Sequence, residues 1–208
     1  VARRMEAAWA LASGQTRMVV ASARALVRTL PPASAYVEAP LVIETGCELA
    51  DAASEGAHAL PAKLRARCVV ETFEDLARAL EGRGYANTGE LDGPGTFGVH
   101  GGTLDVFPGN LTYPVRIDFF GDEVDEIRRI VPSTGQTISS LDRVEIFPVR
   151  EYSCSPEALA RARKKITAPA RTNPVLRDML EKLDGGLRFD GADALLPYLY
   201  DKPVTLGA

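Results

Sequence analysis

The sequence predicts a mixed α/β fold of the α+β kind, in which a mostly antiparallel sheet carries a helix on one face and helical segments lie before and after it. Two observations carry this reading. The apolar residues of positions 73–83 recur at helical spacing, and past Gly84 the spacing drops to that of strands, from about 3.6 residues to 2. The outer segments are punctuated by helix caps and breakers instead of strand turns.

Taken in order, residues 3–13 place Met5, Ala8, Trp9 and Ala12 on one stripe, with Gly14 as the C-terminal stop. Residues 18–21, Met-Val-Val-Ala, are expected to form a short buried strand. Ser22 is a cap for a helix over 23–30 that Pro31-Pro32 must end, because proline has no amide donor. Helix, strand and helix in this order resemble part of a doubly wound domain. Too little precedes the strand to complete its sheet, so the chain is expected to be a piece of a longer protein. Residues 51–66 are rich in alanine and weakly periodic, and read as an insertion without a role.

Thr72 is the N-cap of the helix over 73–83, whose Phe73, Leu76, Ala77 and Leu80 share a face, and Gly84 ends it. Strands are expected over 96–99, 103–107, 115–120, 124–130 and 143–149, separated by Gly, Pro, Asn and Asp. Beyond Tyr152 helices return. Ser155-Pro156-Glu157 and Asn173-Pro174 each combine a cap with a first-turn proline, Gly185-Gly186 is a break, and residues 192–200 form a last short helix.

Composition narrows the function. The 208 residues include 24 basic and 28 acidic side chains, a net charge of -4, so nothing recommends nucleic-acid phosphate as the main partner, and protein partners are favoured. Cys47, Cys68 and Cys154 have no CxxC spacing, which argues against a zinc site or a disulfide framework and for a reducing cytoplasm. His58 and His100 are too few for a histidine-rich metal site. No apolar run approaches the roughly 20 residues of a membrane span. No lysine follows a glycine, so the GxxxxGK[ST] phosphate loop is missing and no cofactor is expected in this chain. A monomer with no catalytic constellation is expected.

Strand alternation over 115–120 places Val115, Ile117 and Phe119 on one side and Arg116, Asp118 and Phe120 on the other. The apolar side is the core. That leaves Phe120 on a charged outer face beside Arg116, the composition of an interface hot spot: the ring fills a pocket and the guanidinium forks onto a carboxylate. The competing explanation is that a neighbouring element covers Phe120. Gly121-Asp122 fits a type II′ hairpin turn, and the return strand breaks alternation, predicting a bulge near Asp125-Glu126 that brings Arg128 or Arg129 to the polar face. Phe97 and Leu104 differ in parity, so one irregular residue at Gly101-Gly102 is expected, putting His100 on the outer face with Thr103, Asp105 and Arg116.

At these residues the chain resembles a known family. The runs are Phe-Gly-Val-His-Gly-Gly-Thr-Leu-Asp-Val-Phe-Pro at 97–108 and Tyr-Pro-Val-Arg-Ile-Asp-Phe-Phe-Gly-Asp-Glu at 113–123, then Ile127-Arg128-Arg129 and Ile-Phe-Pro-Val-Arg-Glu at 146–151. They are similar to the bacterial transcription-repair coupling factors, in the amino-terminal region that resembles UvrB. The resemblance implies a partial, degenerate RecA-like lobe over 1–38, a UvrA-binding domain with a sheet like UvrB domain 2 over 39–152, and a helical return to the first lobe over 153–208. It implies UvrA as partner, met by Arg116 and Phe120. The third family contact, an arginine, maps onto His100, which is shorter and lacks the five-donor fork. Asp118, Thr103, Arg128 and Arg129 would form the rim. For the longer protein it implies an ATP- and magnesium-dependent translocase that meets RNA polymerase and duplex DNA through other segments, with no membrane.

Three alternatives stand beside docking. Arg161, Arg163, Lys164 and Lys165 could contact DNA, although such a cluster is more often a solvated helix face. The docking face could be masked within the longer protein, an autoinhibitory arrangement. Asp118, Asp122, Glu123 and Asp125 could serve a carboxylate- or metal-dependent enzyme, although turn solvation is the commoner reason for such residues.

Overall fold

The computed structural model describes residues 1–32, 40–47, 72–152, 156–185, 192–202 and 204–205. The Ala-rich stretch over 51–66, His58, Cys68, Cys154 and the Ser155 cap lie outside them. The chain divides into two compact units, Val1–Met18 with Glu38–Arg150, and Val19–Val37 with Glu151–Ala208. The fold is mixed α+β, as the change of period predicts, and the first helix falls in with the sheet-bearing unit, whereas the sequence grouped it with an amino-terminal lobe.

The first unit opens with helix α1 (Ala2–Ala12), which buries Met5 and Trp9 and is followed by Gly14 at φ +76°. Strand β1 (Leu41–Glu44) comes next, then helix α2 (Phe73–Gly82) and strands β2 (Ala86–Asn87), β3 (Thr96–His100), β4 (Thr103–Val106), β5 (Val115–Phe120), β6 (Glu123–Ile130), β7 (Thr137–Leu141) and β8 (Arg143–Ile146). Strands β2 to β7 form one six-stranded sheet in sequence order, antiparallel except for the parallel pairing of β2 with β3. Strand β8 leaves that sheet and pairs with β1, Leu41 opposite Ile146. Four of the five expected strands thus lie in the main sheet, and β1, β2 and β7 are additions.

The sheet buries Phe97, Leu104, Val106, Val115, Ile117, Val124 and Ile127 against Leu76 and Leu80 of α2, with Tyr85 and, from the β1–β8 pair, Leu41, Ile43, Val144 and Ile146 in the same cluster. Fully burying a side chain of this kind contributes about 1.5–3 kcal/mol, and this shared apolar surface holds helix to sheet. Two caps start α2. Thr72 Oγ1 accepts from the Asp75 amide at 3.2 Å, and Asp122 Oδ1, from the β5–β6 turn, accepts from the Phe73 amide at 2.9 Å. Amides that the first turn leaves without helical partners are thereby satisfied, one of them from across the unit.

Both central hairpins use two-residue turns. Gly101-Gly102 joins β3 to β4 with His100 opposite Thr103 and Phe97 opposite Val106. No irregular residue is present there, contrary to the parity argument. A two-residue turn pairs odd positions of one strand with even positions of the next, so Phe97 and Val106 share the inner face without one. Gly121-Asp122 joins β5 to β6 with Phe120 opposite Glu123 and Gly121 at φ +66°, as a type II′ turn requires. The bulge is present: the register runs from Asp118–Glu126 to Phe119–Val124, leaving Asp125 as the extra residue.

Where the chain passes from the first unit to the second, the reading of residues 18–30 is corrected. Residues 18–21 are not a strand and are not buried: Met18 is 81% and Val20 94% exposed. Strand propensity is realised only when a neighbouring strand takes up the backbone groups, and among the described residues none lies alongside. The helix after Ser22 is one turn, α3 (Ala23–Leu26), capped by Ser22 Oγ accepting from the Ala25 amide at 3.3 Å. Leu30 then exchanges two backbone hydrogen bonds with Val204, at 2.8 and 2.9 Å. Helices α4 (Pro156–Ala170) and α5 (Pro174–Asp184) follow, the latter capped by Asn173 Oδ1, which accepts from the Val175 and Leu176 amides at 3.0 and 3.3 Å. A 3-10 turn (Ala192–Leu195) leads into α6 (Leu196–Leu199), and Leu195, Leu196 and Leu199 pack on Ala158, Ala162 and Ile166 of α4. Among the described residues no helix is long and apolar enough to cross a membrane.

Candidate protein-docking face

With the inner face fixed by Val115 and Ile117, alternation turns Arg116, Asp118 and Phe120 outward on β5, and the register shows what stands beside them. One row across the sheet reads Gly98, Asp105, Arg116, Arg128, Ser140, and the next reads His100, Thr103, Asp118, Glu126. The predicted residues His100, Thr103, Arg116, Asp118, Phe120 and Arg128 therefore share one face. Arg129 does not. The extra residue at Asp125 gives Arg128 the outer position, and Arg129, exposed, stands opposite Val115 on the other side.

The charges on this face are paired. Arg116 donates from Nε and Nη2 to the two carboxylate oxygens of Asp105, each bond 2.7 Å, and Asp105 is only 7% exposed. The hydrogen bond to Asp105 strengthens the hold of the Arg116 guanidinium on its proton, against the opposing effect of partial burial, with the charges of Asp105 and Asp118 adding to it. Thr103 Oγ1 donates to Asp118 at 2.7 Å, Arg128 Nη2 pairs with the other Asp118 oxygen, and Arg128 Nε lies 3.4 Å from Glu126. Arg116 and Arg128, directly opposite one another, are tolerated because each has its own carboxylate. The fork expected to await a partner's carboxylate is thus already closed on one side by Asp105.

His100 is exposed at the end of β3, and its Nε2–H donates to the Gly89 carbonyl at 2.8 Å. The same Gly89 carbonyl lies where a side chain on Gly98 would have to go, so β3 is glycine at that point for space. Phe120 ends β5 with 83% of its surface exposed, whereas Phe119 packs its ring against Phe73 at 4.9 Å. Among the described residues no neighbour covers Phe120. The strand after its turn is held at Val124, whose amide donates to Cys47 O at 3.0 Å and whose carbonyl accepts from Gly46 N at 2.7 Å.

Several residues of the two rival sites have structural partners. Asp118 is committed to Thr103 and Arg128, and Asp122 caps α2. Among the described residues no group of acidic, histidine or cysteine side chains is arranged to hold a metal ion. In the basic cluster of α4, Arg161 donates to the Leu199 carbonyl at 2.7 Å and Lys165 to the Tyr200 carbonyl at 3.0 Å, and both pair with Asp201. Cations at the C-terminal carbonyls of a helix are a capping device. The hydrogen bond from Lys165, with the charges of Arg161 and Lys165, holds the Asp201 carboxyl below the usual carboxylate range.

Sequence reasoning placed Asp105 on the outer face without its partnership to Arg116, and missed the cap from Asp122. The first was accessible: a two-residue turn at Gly101-Gly102 sets the register of β4, and β4 against β5 puts Asp105 opposite Arg116.

Residues 70–152 match the family model of the UvrB interaction domain. The chain is 38% identical over 136 residues to the transcription-repair-coupling factor of Myxococcus xanthus, covering 64% of this chain and 11% of that protein. With the transcription-repair-coupling factor of Bacillus subtilis it is 26% identical over 219 residues, 99% of this chain and 17% of the relative. With UvrABC system protein B of Corynebacterium diphtheriae it is 42% identical over 90 residues, 43% of this chain and 12% of the relative. The chain thus spans less than a fifth of the length of these curated relatives.

Proposed function

We propose, from the premise that residues 70–152 belong to the UvrB interaction domain family within a chain similar throughout to transcription-repair-coupling factors, that the outer sheet face docks UvrA. On this reading the chain serves nucleotide excision repair by recruiting UvrA. The observation that carries it is Phe120, a large aromatic 83% exposed on a strand end whose neighbours are fixed by a helix cap and by paired charges. A phenylalanine has only two side-chain torsions to order when a partner's pocket closes over it, and its ring carries a large apolar area, which suits an interface anchor. Arg116 supplies the adjacent polar contact. His100 marks the same face but, with Nε2 turned to Gly89, contributes one ring nitrogen and not a fork.

The longer protein is proposed to be an ATP- and magnesium-dependent translocase that acts in the cytoplasm on RNA polymerase stalled on duplex DNA, with its phosphate-binding machinery in other segments. Residues 1–38 and 153–208 belong on this reading to a degenerate RecA-like lobe interrupted by the docking domain. Titration of the chain onto immobilised UvrA tests the docking: Phe120→Ala and Arg116→Ala should each weaken binding about 5- to 150-fold, the range of about 1–3 kcal/mol typical of interface anchors. Unchanged affinity in both variants overturns it.

A further inference from the structure

A guanidinium has two forked edges, one formed by Nε with one terminal nitrogen and one formed by the two terminal nitrogens. In Arg116 the first is closed by Asp105, whose oxygens accept from Nε and Nη2 at 2.7 Å each. The second, Nη1 with Nη2, lies beside the β6–β7 turn. An added Cβ at Gly135 would sit 3.7 Å from Nη2 and 3.9 Å from Nη1, ordinary contact distances. That turn is tied by the Gly135 amide donating to Val131 O at 2.8 Å and the Val131 amide donating to Gln136 O at 2.9 Å, with Gly135 at φ +67°. Backbone without a side chain therefore borders the open edge of the guanidinium.

We propose that Asp105 and Gly135 are positioning residues for docking: Asp105 fixes the Arg116 guanidinium by one edge so that the Nη1/Nη2 edge passes bare Gly135 to a planar acceptor on UvrA. The acceptor is a carboxylate or a pair of main-chain carbonyls, the groups that two parallel N–H donors match. The inference rests on the docking reading and adds to it how the arginine is presented. An arginine free to turn would have to be ordered on binding, whereas one already forked onto a nearly buried carboxylate is ordered beforehand.

The test uses the whole chain and UvrA. Asp105→Asn, whose amide oxygen keeps one hydrogen bond while its NH2 donor faces a guanidinium N–H, opens the fork and should weaken UvrA binding about 5-fold, the equivalent of about one hydrogen bond. Gly135→Asn puts a residue that tolerates the left-handed backbone region better than most beside the Nη edge, where its amide oxygen competes for the N–H donors; it should weaken binding of the folded chain to a similar degree with only a small drop in melting temperature. Because both act through Arg116, neither should weaken binding further in the Arg116→Ala background. Losses that add in that background overturn the proposal, as does full affinity in both single variants while Arg116→Ala is impaired, a result that leaves the docking reading intact. If Arg116→Ala and Phe120→Ala both bind like the parent chain, docking itself fails and the proposal falls with it. Should Asp105→Asn lower the folded fraction, Gly135→Asn and the Arg116 Nε–H signal by NMR decide: a slowly exchanging, rigid Nε–H in the free chain supports the lock, and a mobile one overturns it.

Discussion

The two faces of the six-stranded sheet carry the same residue types to opposite ends. On the inner face Phe97 is fully buried among Leu104, Val106 and Ile117; on the outer face Phe120, two strands away, is almost fully exposed. The inner face gains its stability from removal of apolar surface, a non-directional effect that needs only shape and volume. Order on the outer face comes from directional pairs, Arg116 with Asp105 and Arg128 with Asp118, which hold side chains in place while contributing little burial. Burial fixes the inner face and pairing orders the outer one, so one strand can belong to the core and to an ordered, exposed face at once.

The sharpest way to break this comparison is to truncate the two phenylalanines. Phe97→Ala should cost about 3–5 kcal/mol of stability, read by chemical denaturation. Phe120→Ala should leave the denaturation midpoint within about 0.5 kcal/mol of the parent while weakening UvrA binding. Comparable stability losses in the two variants would mean that Phe120 is a packed residue and that the faces are not functionally distinct.

Next in size is the ion pair. Asp105→Ala removes two charge-assisted hydrogen bonds, but Arg116 keeps a side chain 31% exposed that water can solvate, so the expected loss is about 1–2 kcal/mol. Asp122→Ala, which removes the cap on the Phe73 amide, should cost about 1 kcal/mol. It should also loosen the turn after Phe120, seen as faster amide exchange at Val124 and Phe119. A stability loss without faster exchange would separate the cap from the presentation of Phe120.

How far all this was legible follows from which forces decide each element. Strands β3 to β6 could be read because one buried face imposes alternation, and the bulge at Asp125 because Val124 and Ile127 break it. Strand β7, Thr-Ile-Ser-Ser-Leu at the sheet edge, has small polar residues on both faces and so has no period to read. Strand β1 depends on pairing with β8, about a hundred positions later, which no local pattern encodes. Residues 18–21 erred the other way, apolar and β-branched but without a strand beside them. Within the site, Arg116, Phe120 and His100 emerged from alternation and from the family pattern. The closure of Arg116 by Asp105 and the second role of Asp122 depend on register and on a contact between distant elements.

The smallest expected effect concerns the charged cluster of the helical unit, where Arg161 and Lys165 meet an exposed Asp201 at 3.2 and 3.0 Å. These pairs are open to solvent, unlike Arg116 with Asp105, and salt screens them. Because the Asp201 carboxyl is held below its usual range, the folded state binds its proton less readily than the unfolded state does. Its contribution to stability is therefore fully present above about pH 4, the ordinary aspartate range, and disappears as pH falls through the lower folded value. Asp201→Asn should lower the melting temperature slightly at neutral pH and low salt, with the difference from the parent closing on acidification and on adding salt. A difference that persists at low pH would show that Asp201 acts by packing and not by charge. An equal sensitivity to salt at Arg116 with Asp105 would remove the distinction between a presented arginine and a solvated one.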